Sequence, residues 1–150
     1  MKQVALIACC KKKMDTAVPV PAHQLYRGQL FQAQLAYARQ VLKLSDERIY
    51  VLSAKYRLIG IQEKILPYEK TLANMGLGAR VNWGCCVVDI MWGGGFSVVR
   101  DTLVIMAGQA YLEGLALSLH DKGYKWSVPH PAGWGYGQQV AWYLNEVRNA

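Results

Sequence analysis

The chain has 150 residues, 53% of them hydrophobic and 18% charged, with a formal net charge of +7. This is the composition of a single globular domain with one buried core, and it excludes a disordered, low-complexity or repeat-built chain. No apolar run reaches a membrane span, and the amino terminus lacks a long apolar leader with a small-residue cleavage site, so a soluble, cytoplasmic protein is expected. The basic balance makes a polyanion the expected partner, nucleic acid first and a nucleotide second, for a monomer or homodimer. The cysteines come as two adjacent pairs, Cys9-Cys10 and Cys85-Cys86. Sequence neighbours are poor disulfide partners, and the spacing is not that of a C-x-x-C zinc site, so reduced thiols without a metal or cofactor are expected.

The first element is the apolar run Val4-Ala5-Leu6-Ile7-Ala8, a buried strand that breaks into Cys9-Cys10-Lys11-Lys12-Lys13. Pro19 and Pro21 make Asp15 to Ala22 a loop. A helix is predicted over 23–44, because Phe31, Leu35, Ala38 and Leu42 recur on one face of a 3.6-residue period. Ser45-Asp46-Glu47 turns the chain into a second strand, Arg48 to Leu52, which ends abruptly in Ser53-Ala54-Lys55-Tyr56. From Ile59 to Glu69 no period is legible, and a loop of that length reads as a lid or binding loop.

Val81, Cys85, Val88 and Trp92 then predict a helix over 79–92 with Cys85 in its core face, closed by Gly93-Gly94-Gly95. Thr102 to Ala107 reads as a third strand, stopping at Gly108-Gln109-Ala110-Tyr111, with a helix to about Asp121. Lys125 to Val128 reads as a fourth strand, breaking into Pro129 through Gly137. The last helix, 138–148, turns Val140, Leu144 and Val147 inward.

Strand and helix alternate four times, the order of a three-layer α/β/α domain with a short, mainly parallel four-stranded sheet. In such a sheet every strand ends at one edge, so the four breaks converge on one rim, where open α/β sheets bind ligands. Lys55 is then expected to face Cys9 and Lys13 across that rim. The rim is rich in lysine, glycine and aromatics and poor in acids. Gly108, Gly133 and Gly137 stand before predicted helices, where backbone N–H groups can face a phosphate; Gly133-x-Gly135-x-Gly137 is either such an anion-facing turn or simply a tight one. The chain has neither GxxxxGK[ST] nor GxGxxG, which disfavours a nucleoside triphosphatase or a dinucleotide enzyme.

Tyr26-Arg27 and Lys55-Tyr56 set rings beside cations and Trp134-Tyr136 sets two rings together, an arrangement that stacks a base while a cation holds its phosphate, although rings are also ordinary core residues. Cys9 or Cys10, ahead of three lysines, is either a thiolate of lowered pKa or a small buried side chain. His130, between two prolines, is rigidly placed for proton transfer or a base edge, with no acidic partner in sight. Ser53 and Tyr111 complete the candidate pocket.

Taken in order, Ala8-Cys9 with Lys13, Leu25-Tyr26, Phe31 before Tyr37-Ala38, Leu52 to Tyr56 with Leu58, Pro67-Tyr68 with Thr71-Leu72, Gly108 and Tyr111, Pro129 to Gly133, Gly137-Gln138 and Trp142 give the chain its family likeness. The sequence resembles the domain of unknown function 6884 family of phages and bacteria over nearly its whole length. Two positions depart from the pattern: Arg57 stands where the family has glycine, and His130 where it has leucine. The family in turn is similar to uracil-DNA-glycosylase-like folds, a group that includes a domain of archaeal tRNA-guanine transglycosylases.

That resemblance implies a nucleobase or nucleic-acid pocket at the carboxyl edge and, most concretely, cleavage or exchange of a base N-glycosidic bond. Where a uracil-type glycosylase has an Asp or Asn after its first strand, this chain has Cys10 and lysines, with Asp15 the nearest acid. An amine nucleophile, Lys55 or Lys13, forming an imine with the sugar is therefore the catalytic expectation. Tyr26, Tyr68 or Trp134 would stack on a flipped base. A non-catalytic nucleotide or nucleic-acid binding module is the alternative, and exposed aromatics would equally suit a small dimeric interaction protein.

Overall fold

The computed structural model describes residues 2–150. Strand β1, Lys2–Ala8, runs through the middle of the sheet with Val4, Ala5, Leu6 and Ile7 all buried. A strand covered on both faces needs such an unbroken apolar run rather than alternation. After a two-residue strand β2, Val20–Pro21, come the short helix α1, Ala22–Leu25, and helix α2, Gln29–Gln40. Strands β3, Ile49–Ser53, and β4, Arg57–Gly60, form a hairpin, and β5 is Lys64–Ile65. Helix α3 spans Leu77–Gly93, strand β6 Asp101–Met106, helix α4 Gln109–Lys122, strand β7 Lys125–Ser127 and helix α5 Tyr136–Arg148.

The main sheet has five strands in the order β4-β3-β1-β6-β7. β1 pairs in parallel with β3 (Ala8 opposite Leu52) and with β6 (Ile7 opposite Met106), and β6 pairs in parallel with β7. Only β4 is antiparallel, with Arg57 opposite Ser53. β2 and β5 make a separate two-stranded ribbon. The sheet's two faces divide the core. Ala5, Ile7, Val51 and Met106 pack with Phe31 and Tyr37 of α2 and Tyr143 of α5. Val4, Leu6, Leu103 and Ile105 pack with Trp83, Val87 and Met91 of α3 and Leu115 and Leu119 of α4. The close approach of α3 to α4 depends on a glycine pair, since a Cβ on Gly84 would overlap the Gly114 carbonyl.

Four expectations change. The sheet has a fifth strand, because β4 runs from Arg57 into the start of the 59–69 stretch: a strand this short, with only Leu58 and Ile59 buried, has too few residues to display a period. The helix expected over 23–44 is two helices. Between them the chain extends so that Tyr26 bridges Lys13, and Gly28 packs so closely on Cys10 that a Cβ there would meet the sulfur at 3.0 Å. In α3 the buried face is Trp83, Gly84, Val87, Val88 and Met91, which leaves Cys85 exposed and bonded to the Ser118 hydroxyl at 3.0 Å. The apolar count missed that face because it gives no weight to a glycine that enables helix contact. In α5 the inward residue is Tyr143, fully buried, whereas Leu144 is exposed.

Candidate functional site

In chain order the parallel strands are β1, β3, β6 and β7, but β3 lies on one side of β1 and β6 on the other. Helix α2, after β1, covers one face and α4, after β6, the other. Their amino termini therefore diverge above the carboxyl ends of β1 and β6, and the crevice between them is the usual ligand position in such a sheet. A cleft of about 280 Å3 opens there, lined by Cys9, Lys11, Gln34, Gly108, Tyr111, Tyr136 and Gln139 among others. No Asp or Glu lines it.

Helices α2, α4 and α5 all begin at this cleft behind glycine N-caps, Gly28, Gly108 and Gly135, with no acidic residue in any first turn. A glycine cap leaves first-turn N–H groups without a side-chain acceptor, and with the helix dipole they favour an anion. Two are already used: the Leu30 N–H donates to the Tyr136 hydroxyl (3.3 Å), and the Gly135 N–H donates to the Gln138 side-chain oxygen (3.1 Å). Space beside Gly108, Gly133 and Gly137 is open, and Gly133 has φ 82°, which suits glycine.

Behind the cleft lies a buried polar network. Cys9 Sγ shares a hydrogen bond with the Tyr111 hydroxyl at 3.0 Å and accepts the Ala54 N–H at 3.4 Å. The Ser53 Oγ accepts the N–H groups of Lys55 (3.2 Å) and Tyr56 (2.9 Å). With both lone pairs so occupied, its proton must point to the Tyr68 hydroxyl, 2.8 Å away. Tyr68 in turn bonds the Tyr26 hydroxyl at 2.7 Å. Burial, and then the neighbouring Cys9, pushes the Tyr68 and Tyr111 phenols upward, and burial does the same to Tyr26, so all three remain protonated donors. Burial likewise raises the Cys10 thiol, which makes Cys10 a poor thiolate.

Lys13 caps this network. Its ammonium lies 4.5 Å from the Tyr68 ring centroid and 5.9 Å from that of Tyr26. Lys55 is elsewhere: it is exposed, lies over the Tyr56 ring at 5.2 Å, and lines a second cleft with Arg57 and Lys70. The rim expectation that Lys55 faces Cys9 is thereby corrected, since the β3–β4 turn brings its side chain to the second cleft and not to the one that Cys9 lines.

His130 is buried, its Nδ1 2.7 Å from the Tyr143 hydroxyl, and burial lowers its pKa. It does not line the cleft. Trp134 is half-exposed, its carbonyl accepting from the Gln139 side chain at 2.8 Å. The structure thus gathers Cys9, Gly108 and Tyr111 in the cleft, keeps Ser53, Tyr26, Tyr68 and Lys13 out of its lining in the adjoining polar network, places Gly133, Trp134 and Gly137 about the start of α5, and separates Lys55 and His130.

Sequence reasoning missed Gln34 and Gln139, whereas Tyr136, named there as a stacking ring, does line the cleft. Gln34 is 2% exposed and lines the cleft, where an amide can read a base edge. Its signal was present: it is the polar residue inside the buried stripe Phe31, Leu35, Ala38.

The sequence matches the family of unknown function DUF6884 over residues 4–145. The chain belongs to that family. No curated protein and no solved structure gives a match, so the DUF6884 assignment carries no activity with it, and the chemistry has to be argued from the cleft. Among the described residues no helix of this DUF6884 chain is long and apolar enough to cross a membrane.

Proposed function

We propose that the switch-point cleft binds a nucleotide unit, and that the chain cleaves or exchanges a base N-glycosidic bond. The observation that carries this reading is the meeting of three glycine-capped helix amino termini in an acid-free cleft with a buried amide, Gln34, in its wall. The helix termini suit a phosphate, and the amide suits a base. The order of the parallel strands and the cleft's position also support kinship with uracil-DNA-glycosylase-like folds.

Without a carboxylate to activate water, the nucleophile is the amine of Lys13 in its neutral form. It attacks the sugar C1′, and the C–N bond pair leaves with the base, which takes up the proton released from the attacking nitrogen. Ring opening gives an iminium, and one water hydrolyses it to the free sugar aldehyde and the lysine. The Tyr26 and Tyr68 rings, 5.9 and 4.5 Å from the Lys13 nitrogen, position the amine.

The test is borohydride reduction in the presence of oligonucleotides carrying modified bases or an abasic site. A covalent adduct that maps to Lys13 and disappears in Lys13→Ala is expected. If the wild-type protein binds these oligonucleotides and no adduct forms, the amine mechanism is overturned. The second reading, a non-catalytic nucleotide or nucleic-acid binding module, is favoured by the same lack of any carboxylate in the cleft, and it is the reading left standing by that outcome.

A further inference from the structure

On the far side of the Cys9–Tyr111 wall lies the second cleft, of about 220 Å3. Lys55 and Arg57 reach it from the β3–β4 hairpin, Lys70 from the following loop, and Asn82 and Trp83 from α3. No Asp or Glu lines it, and none of its three cations forms an ion pair among the described residues. Three like charges brought to one cavity from two segments repel one another, and an anion between them removes that cost.

Arg57 supplies an independent sign. Its φ is 69°, in the left-handed region, at the residue that closes the hairpin opposite Ser53. Glycine holds that conformation without penalty, whereas a side chain costs about 1 kcal/mol or more. The Arg57 side chain is exposed and adds no core packing to offset that cost.

The two clefts are also contiguous. Cys9 and Tyr111 line the first, Ala54 and Trp83 the second. The Ala54 N–H donates to Cys9 Sγ, and the Trp83 and Tyr111 rings meet edge to face at 5.5 Å. One layer of side chains therefore separates them. Cationic grooves interleaved with aromatic rings are how single strands are held, phosphate on cation and base on ring.

We propose that the Lys55–Arg57–Lys70 cleft holds the next phosphate along a polynucleotide whose neighbouring nucleotide occupies the switch-point cleft, so that the ligand is nucleic acid rather than a free nucleotide. This rests on the nucleotide reading of the first cleft. It assigns Lys55 to the strand's backbone and leaves the nucleophile's place to Lys13.

The experiment compares binding of a labelled single-stranded oligonucleotide with binding of nucleoside monophosphates, for wild type, Arg57→Gly and Arg57→Gly/Lys70→Ala. Arg57→Gly removes the cation while keeping the left-handed backbone, so its thermal midpoint should equal or exceed that of wild type. The double variant is expected to lose roughly tenfold in oligonucleotide affinity at low salt, with the slope of log affinity against log salt smaller by about 0.7 for each lost phosphate contact. Mononucleotide affinity should stay unchanged. Oligonucleotide binding within twofold of wild type, with mononucleotide binding intact, overturns the second subsite but not the first. A parallel loss for both ligands overturns it too, since the cations would then serve the first cleft. If wild type binds neither ligand, the nucleotide reading itself fails and this inference with it.

Discussion

The two edges of the sheet differ in whether a cation is tied to an acid. At the edge where β1 and β6 begin, Arg48 donates to Asp101 at 2.8 Å and to the Gln3 carbonyl at 2.8 Å, and Asp101 also accepts the Ser97 N–H at 2.7 Å. At the edge where those strands end, Lys13, Lys55, Arg57 and Lys70 stand over rings or cavities with no acid paired to them among the described residues. The first edge ties Arg48 into the fold through Asp101, while Lys2 and Arg100 beside it form no ion pair among the described residues. The second leaves its charge uncompensated, the condition for recruiting a polyanion.

Asp101→Ala should have the largest effect on stability, a loss of about 2–3 kcal/mol in urea unfolding, because it strands the Arg48 guanidinium and an amide N–H. Oligonucleotide affinity measured well below the melting temperature should not change; a loss there would break the comparison. The same carboxyl gives a pH signature. The Ser97 N–H and the Arg48 guanidinium outweigh burial and hold Asp101 below the usual carboxylate range. Its contribution is therefore complete above an unfolded value of about 3.9 and is lost as pH falls through the lower folded value. Acid unfolding of Asp101→Asn should be correspondingly flatter in that window.

Ser53→Ala comes next, at about 2 kcal/mol, since it removes a buried acceptor for two turn amides and the donor to Tyr68. Unlike Asp101→Ala it should also weaken ligand binding, because the β3–β4 turn carries Lys55 and Arg57. Lys13→Ala should shift stability by less than about 0.5 kcal/mol while abolishing borohydride trapping and lowering oligonucleotide affinity several-fold. The smallest effect is expected for Lys2→Ala, at the opposite edge, where affinity should stay within about twofold of wild type. If Lys2→Ala weakens binding as much as Lys13→Ala, nonspecific net charge rather than the carboxyl edge drives the interaction.

The parallel sheet and the edge where its strands end were legible in the sequence because β1, β3 and β6 are largely apolar runs that stop sharply at Ala8, Ser53 and Met106. What was not legible has physical causes. β4 is too short to show a period. The break between α1 and α2 depends on a long-range bridge, Lys13 to Tyr26, that no local window contains. The meeting of Lys55 with Lys70 arises from the path of a loop, so the expectation that Lys55 faces Cys9 had the right edge and the wrong wall. His130 showed no acidic partner in the sequence, and the structure gives it a neutral one, the Tyr143 hydroxyl, 13 residues away. Arg57 turned where glycine is usual, which the sequence alone left as an anomaly and the positive φ explains as a tight turn retained at a cost.

The sheet's margins bear on how copies of the chain could associate. One margin is β4, with four residues, and the other is β7, with three, all of them exposed. Long free strand edges are what a second copy extends into a continuous sheet, and margins this short offer few unpaired amides for such an addition. A homodimer of this chain would therefore gain little from pairing these two strand edges.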